Sequence, residues 1–129
     1  MLVVSSSVLL ASFAHARDEA PREVVGLWLG KGQVVQRAEP LSNRSSNPLV
    51  AYDADPAHLI QVLRRSREEG LELVAIYHSH PQGAAWPSRT DRELAYWRVP
   101  YVILGLAEGR ARGFLLPEGQ EVEILVESV

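Results

Sequence analysis

The sequence has no cysteine, which excludes disulfides, thiolate metal sites and cysteine nucleophiles at one stroke. Any metal must be held by nitrogen and oxygen. Concentrated positive charge is also missing. Formal net charge is −3, and no basic cluster exceeds Arg64, Arg65 and Arg67. A nucleic-acid footprint is therefore not expected. Internal repeats, low-complexity tracts and linkers are absent too. What is there is a chain of 129 residues, 47% hydrophobic and 22% charged. That composition suits one globular domain spanning residues 1–129, able to bury roughly two thirds of its unfolded surface.

The apolar start, "MLVVSSSVLLASFAHA", has two readings. Ala14-His15-Ala16 suits signal-peptidase cleavage, but no positive charge precedes it, since the first basic residue is Arg17. The same stretch carries a helical stripe at Leu9, Phe13, Ala16 and Ala20, which is the reading preferred here. A short strand over residues 1–5 then leads into a helix capped by Ser7 and stopped by Pro21. Residues 24–30 read as a buried strand, paired through a Gly-Lys-Gly turn with a strand near 33–37. Residues 40–48 are a polar loop. Asp55-Pro56 opens a helix with its apolar face on Leu59, Val62 and Leu63, and Gly70 ends it. Residues 71–80 read as a strand. Thr90 and Glu93 have capping-box spacing, so a helix is expected from about Ser88–Asp91 to Trp97. Three closing strands follow, at 101–106, 111–116 and 121–126, the last alternating through Val122, Ile124 and Val126. The fold class is α/β (α+β), a mixed curved sheet flanked by about three helices.

The chemistry concentrates in "HSHPQGAAWPSRTD", residues 78–91. His78 and His80 stand two apart at a strand end, so both imidazoles project to one side. Asp91 begins the next helix, close enough for the three side chains to converge. Two nitrogens and a carboxylate suit zinc, with a fourth position open as in catalytic sites. Each residue also has an ordinary role. His-x-His occurs at strand ends and in cupin or non-haem iron sites, although a cupin wants a glutamate where Ala84 and Ala85 stand. Ser88 can cap a helix, and Asp91 can complement its dipole.

The combination resembles the signature of the JAMM (MPN+) metalloprotease family: His-x-His-Pro, with seven residues between the second histidine and a serine, then two residues to an aspartate. His78, His80, Pro81, Ser88 and Asp91 match it. The family's upstream glutamate motif is matched by "PREVVGLWLG", residues 21–30, which places that glutamate at Glu23. The resemblance spans nearly the whole chain and implies a cytidine-deaminase-like JAMM fold. It further implies that His78, His80 and Asp91 bind one Zn2+ per chain. Glu23 would move a proton from the attacking water to the leaving amine, and Ser88 would support the oxyanion. Asp18 and Glu19 are nearby competitors for the role of Glu23. Only thirteen residues separate Asp91 from Gly105, too few for the second insertion of eukaryotic deubiquitinating members.

This compact form is similar to stand-alone prokaryotic members acting on ubiquitin-like or sulfur-carrier proteins with a Gly-Gly tail. The expected activity is isopeptidase or peptidase cleavage after that tail, releasing cysteine or a lysine-linked amine. Trp86 has two readings, as core or as a wall of the tail groove. The alternatives are a non-catalytic scaffold for protein interactions and a zinc amidase for small molecules. A cytoplasmic monomer or homodimer, without nucleic-acid or membrane partners, completes the expectation.

Overall fold

A computed structural model describes residues 1–128 of the protein, so the last residue of the expected 1–129 span, Val129, lies outside the described residues. The described residues form strands β1 (Leu2–Ser5), β2 (Val25–Lys31), β3 (Val34–Leu41), β4 (Glu72–His80), β5 (Tyr101–Gly105), β6 (Arg110–Leu115), β7 (Gln120–Val122) and β8 (Ile124–Glu127). Three helices accompany them: α1 (Ser6–Glu19), α2 (Pro56–Glu68) and α3 (Arg89–Glu93). The strand order is β7-β6-β5-β4-β2-β3-β1-β8. β1 runs parallel to both β3 and β8, and β4 parallel to β5; the other neighbours are antiparallel. The expected mixed sheet and three helices are therefore present. Among the described residues no helix is long and apolar enough to cross a membrane.

β7 and β8 are joined by the single residue Glu123, yet they stand at opposite ends of the strand order. Only a sheet that curls back on itself allows this. A methyl group at Gly113 of β6 would lie 3.7 Å from Ile124 of β8, so the two ends nearly meet. This corrects the single strand expected over residues 121–126. Its alternation continues through the break, but Val122 pairs with Gly113 while Ile124 pairs with Leu2.

Both faces of the central strands are buried, which explains their unbroken apolar runs. Phe13 and Ala16 of α1 join Val4, Trp28, Tyr77 and Val102 in one core cluster. Val62 of α2 joins Leu27, Ile76, Tyr101, Ile103 and Phe114 in a second. The apolar N-terminal stretch is thus built into the sheet and its cover. Ser5, rather than Ser7, caps α1, accepting from the Val8 N–H at 3.2 Å. Ser12 is buried without penalty: it donates to the Val8 carbonyl and accepts from the Trp28 indole, both at 2.9 Å. Asp55 caps α2 as expected, accepting from Ala57 N–H, and Gly70 at φ 77° turns the chain toward β4.

Gly26 is required by its neighbour rather than by its own backbone. A methyl group there would overlap the ring of Tyr77, which is fully buried and held by His15 Nδ1 at 2.7 Å from its hydroxyl. Gly26→Ala is expected to cost about 1–3 kcal/mol by overpacking. Calorimetry should show a melting temperature lower by several degrees; an unchanged value would mean that Tyr77 moves freely.

Candidate metal centre

The β2–β4 pairing builds the site. Val25 lies opposite His78, so the residues just before β2 run beside the end of β4. Ser79, pointing away from its two histidine neighbours, accepts from Val24 N–H at 2.9 Å and pins that approach. His78 shares the α2 face with Ile76, is fully buried, and has its ring centroid 5.2 Å from that of His80. His80 pairs with Gly105 on β5. A methyl group at Gly105 would stand 2.9 Å from the Ala85 nitrogen, so glycine lets the loop after His80 fold down over β5. Glu108 then accepts from the Ala85 N–H at 2.8 Å.

Asp91 arrives on the first turn of α3, only 5% exposed. One carboxylate oxygen lies 3.1 Å from His78 Nε2 and the other 3.0 Å from His80 Nε2. Glu23, His78 and His80 also bring one donor atom each within 4.8 Å of one another. The structure therefore gathers Glu23, His78, His80 and Asp91 in one place, with Asp91 touching both imidazoles. Glu19 is instead exposed and paired with Arg22 at 3.5 Å.

The donor set fits a cation. His80 faces two groups that can only accept: the Ala84 carbonyl, 2.9 Å from Nδ1, and the Asp91 carboxylate at Nε2. A neutral His80 with its proton on Nδ1 aims a lone pair at a carboxylate, which requires a proton or a metal ion between them. His78 Nε2 approaches Asp91 too far off line to hydrogen-bond, and among the described residues neither of its ring nitrogens has a hydrogen-bond partner. Oε1 of Glu23 is buried and unpartnered in the same sense. Buried donors and acceptors left in this state are costly unless something else satisfies them.

Charge is distributed unevenly across the cluster. Burial pushes the Glu23 carboxyl up to about 7, against the pull of His80 and with the help of the Asp91 charge. Burial also opposes the ionised form of Asp91, but the two imidazoles and the Ser88 N–H outweigh it and hold that carboxyl well below its usual range. His78 is pushed down by burial, which keeps it neutral and available as a ligand.

Ser88 is the N-cap of α3 and forms a capping box with Asp91, which corrects the expected Thr90–Glu93 box. The Asp91 N–H donates to Ser88 Oγ at 3.0 Å, and the Ser88 N–H donates to Asp91 Oδ2 at 2.9 Å. Glu93 is engaged by Arg89 at 2.8 Å instead. α3 also stops at Glu93 rather than reaching Trp97. The hydroxyl of Tyr101 accepts from the N–H groups of Tyr96 and Trp97, at 3.1 and 3.0 Å, which a longer helix would have used. Trp86 is half-exposed rather than core, 5.6 Å from the Phe114 ring and 4.4 Å under the Arg112 guanidinium.

Two residues of the loop after β3 carried no sequence signal. Tyr52 stacks on His78 at 4.3 Å between ring centroids, and Asn43 hydrogen-bonds the Glu23 carbonyl at 2.9 Å. Neither spacing nor residue type marks such contacts in advance. A cleft of about 460 Å³ opens over the site, lined by Pro21, Glu23, Leu49, Val50, His80 and Pro81, among others.

The chain is similar to known proteins over most of its length. The family described as prokaryotic homologues of the JAB domain matches residues 5–115. A probable TtuB-protein conjugate cleaving protease of Thermus thermophilus is 52% identical over 126 residues, covering 98% of this chain and 83% of its own. A desampylase of Haloferax volcanii is 35% identical, covering 88% of each chain. A protein solution structure from Desulfitobacterium hafniense superposes with a TM-score of 0.90 at 30% identity, over 100% of this chain and 94% of that one. With its fold, its clustered donors and these relatives, the chain belongs to the prokaryotic JAB-domain family, the stand-alone branch of the JAMM metalloproteases.

Proposed function

We propose that the protein is a cytoplasmic zinc peptidase. Its substrate would be a ubiquitin-like or sulfur-carrier protein, cut after a C-terminal Gly-Gly with release of cysteine or a lysine-linked amine. The observation that carries this reading is Glu23: a buried carboxylate with an unpartnered oxygen, pushed up to about 7, beside two imidazoles that share one aspartate. The names of the Thermus and Haloferax relatives point to protein conjugates as the substrate class.

His78, His80 and Asp91 would hold one zinc per chain. The chemistry such an ion supplies when bound is Lewis-acid polarisation of a carbonyl and a strong nucleophile at neutral pH. Glu23 accepts the proton of the attacking water and returns it to the departing nitrogen, a task for which a pKa near the working pH is best. Burial tunes it there. Ser88 accepts from the Asp91 N–H through a lone pair, which leaves its hydroxyl proton free to donate to the oxyanion. Trp86, half-exposed on the loop between His80 and Ser88, would flank the tail of the carrier.

The test is incubation with a Gly-Gly-ended carrier joined to cysteine or to lysine, read by intact mass. Release of the free carrier, blocked by a chelator, is expected. A protein that binds the conjugate without cleaving it would be a scaffold. One that cleaves only small amides would be an amidase.

Ser88→Ala should lower kcat by about 10²-fold, the scale for one oxyanion donor. Because Ser88 also caps α3, the same change should cost roughly 1 kcal/mol of stability. Ser88→Gly, which loses the hydroxyl but caps nearly as well, should recover most of that stability and none of the rate. Full turnover in either variant would remove Ser88 from the chemistry.

A further inference from the structure

The segment between β3 and α2, residues 42–55, has no regular structure beyond one bridge between Asn43 and Ala54. Besides backbone bonds such as Arg44 N–H to the Asp53 carbonyl at 2.7 Å, the side-chain amide of Asn43 ties it together. Oδ1 accepts from the N–H groups of Ser45 and Asp53, both at 2.9 Å. Nδ2 donates to the Ala51 carbonyl at 3.2 Å and to the Glu23 carbonyl at 2.9 Å. A primary amide offers two donor hydrogens and two acceptor lone pairs, so Asn43 is fully used. Three of these bonds close the loop on itself. The fourth leaves it and ends on Glu23.

Glu23 needs such a hold. It stands before β2, which begins at Val25, so no sheet ladder fixes its backbone. Its N–H donates to the Pro48 carbonyl at 2.7 Å, and its carbonyl receives Asn43. Both sides of Glu23 are therefore held by the same loop, and the hold on the carbonyl is made by a side chain that can be changed atom by atom. We infer that Asn43 is a positioning residue that aims the Glu23 carboxylate across the cleft. This rests on the proposed role of Glu23 in proton transfer.

Asn43→Asp separates the two halves of the amide. It keeps both acceptor bonds to Ser45 and Asp53, but loses the donors to Glu23 and to Ala51 and sets a carboxylate oxygen against those two carbonyls. Because a misplacement of about 1 Å can cost about 10²-fold in rate, kcat is expected to fall about 10- to 100-fold. KM for the carrier conjugate should stay within about twofold and zinc content should not change. Asn43→Ala, which adds no charge, should show the same split between kcat and KM. The decisive measurement is the cycle with Glu23→Gln: a residue acting only through Glu23 loses its effect once that carboxylate is gone, so Asn43→Asp should not slow Glu23→Gln further. Wild-type kcat in Asn43→Asp, equal further slowing in the Glu23→Gln background, or loss of zinc and fold in both Asn43 variants would each overturn the inference. Wild-type turnover in Glu23→Gln alone would instead remove the role of Glu23 itself.

Discussion

Glu23→Gln is expected to keep its zinc and to lose about 10²- to 10⁴-fold in kcat, the range for a positioned general acid–base group. The amide fills the same space but neither takes nor gives a proton. The comparison needs two readouts, metal content by elemental analysis and turnover of a carrier conjugate. Near-normal turnover would move the base elsewhere, and Glu19 is poorly placed to take over, being exposed and tied to Arg22. The same variant should reveal the burial of the carboxylate in the absence of metal. A folded-state pKa raised from 4.5 to about 7 means that the folded protein binds more protons than the unfolded chain between those values. Wild-type stability therefore carries a contribution that is lost as pH rises through that window. The metal-free Gln variant escapes this loss. Its melting temperature relative to metal-free wild type should rise from pH 4.5 to pH 7 and level off above. Parallel melting curves across that range would mean that Glu23 is not desolvated.

Asp91→Ala is expected to remove most of the bound zinc and bring activity to background. Its carboxylate lies 3.1 Å from His78 Nε2 and 3.0 Å from His80 Nε2, and its loss removes the negative charge closest to the two rings, whose centroids are 5.2 Å apart. The variant also loses one side of the capping box, so metal-free protein should be less stable by about 1 kcal/mol. Asp91→Asn separates the two effects. It can still accept the Ser88 N–H and support the helix start, but it offers zinc a weaker, neutral ligand. Full zinc content in Asp91→Ala would transfer the third ligand to Glu23, which also reaches both histidines. In that case Glu23→Gln would be the variant that loses metal, so the two substitutions together decide between the donor sets.

Much of this site was legible because local rules and the motif agree. A strand end places His78 and His80 on one side, and a short loop returns Asp91 to them. The misreadings share one cause, a local pattern with two valid continuations. Thr90–Glu93 and Ser88–Asp91 both satisfy capping-box spacing, and the contact of Asp91 with the imidazoles selects the second. The helical pattern beyond Glu93 is locally acceptable, but the hydroxyl of Tyr101 captures the backbone it would need. Alternation through Val122, Ile124 and Val126 carries no mark that the partner strand changes at Glu123. Asn43 and Tyr52 were invisible for a different reason: their importance comes from the loop that contains them, and its path is set by tertiary contacts.

The curled sheet has a consequence for how the chain is made. β1 pairs with β8, so Leu2 meets Ile124 across about 120 intervening residues. Such long-range pairings raise contact order and slow folding. On a ribosome, β1 can find β3 early, since Val3 pairs with Val34, but its other edge waits until β8 has emerged. β1, which precedes every other described strand, is thus among the last to be completed. During that interval its open edge is the part of the nascent chain most exposed to pairing with another molecule.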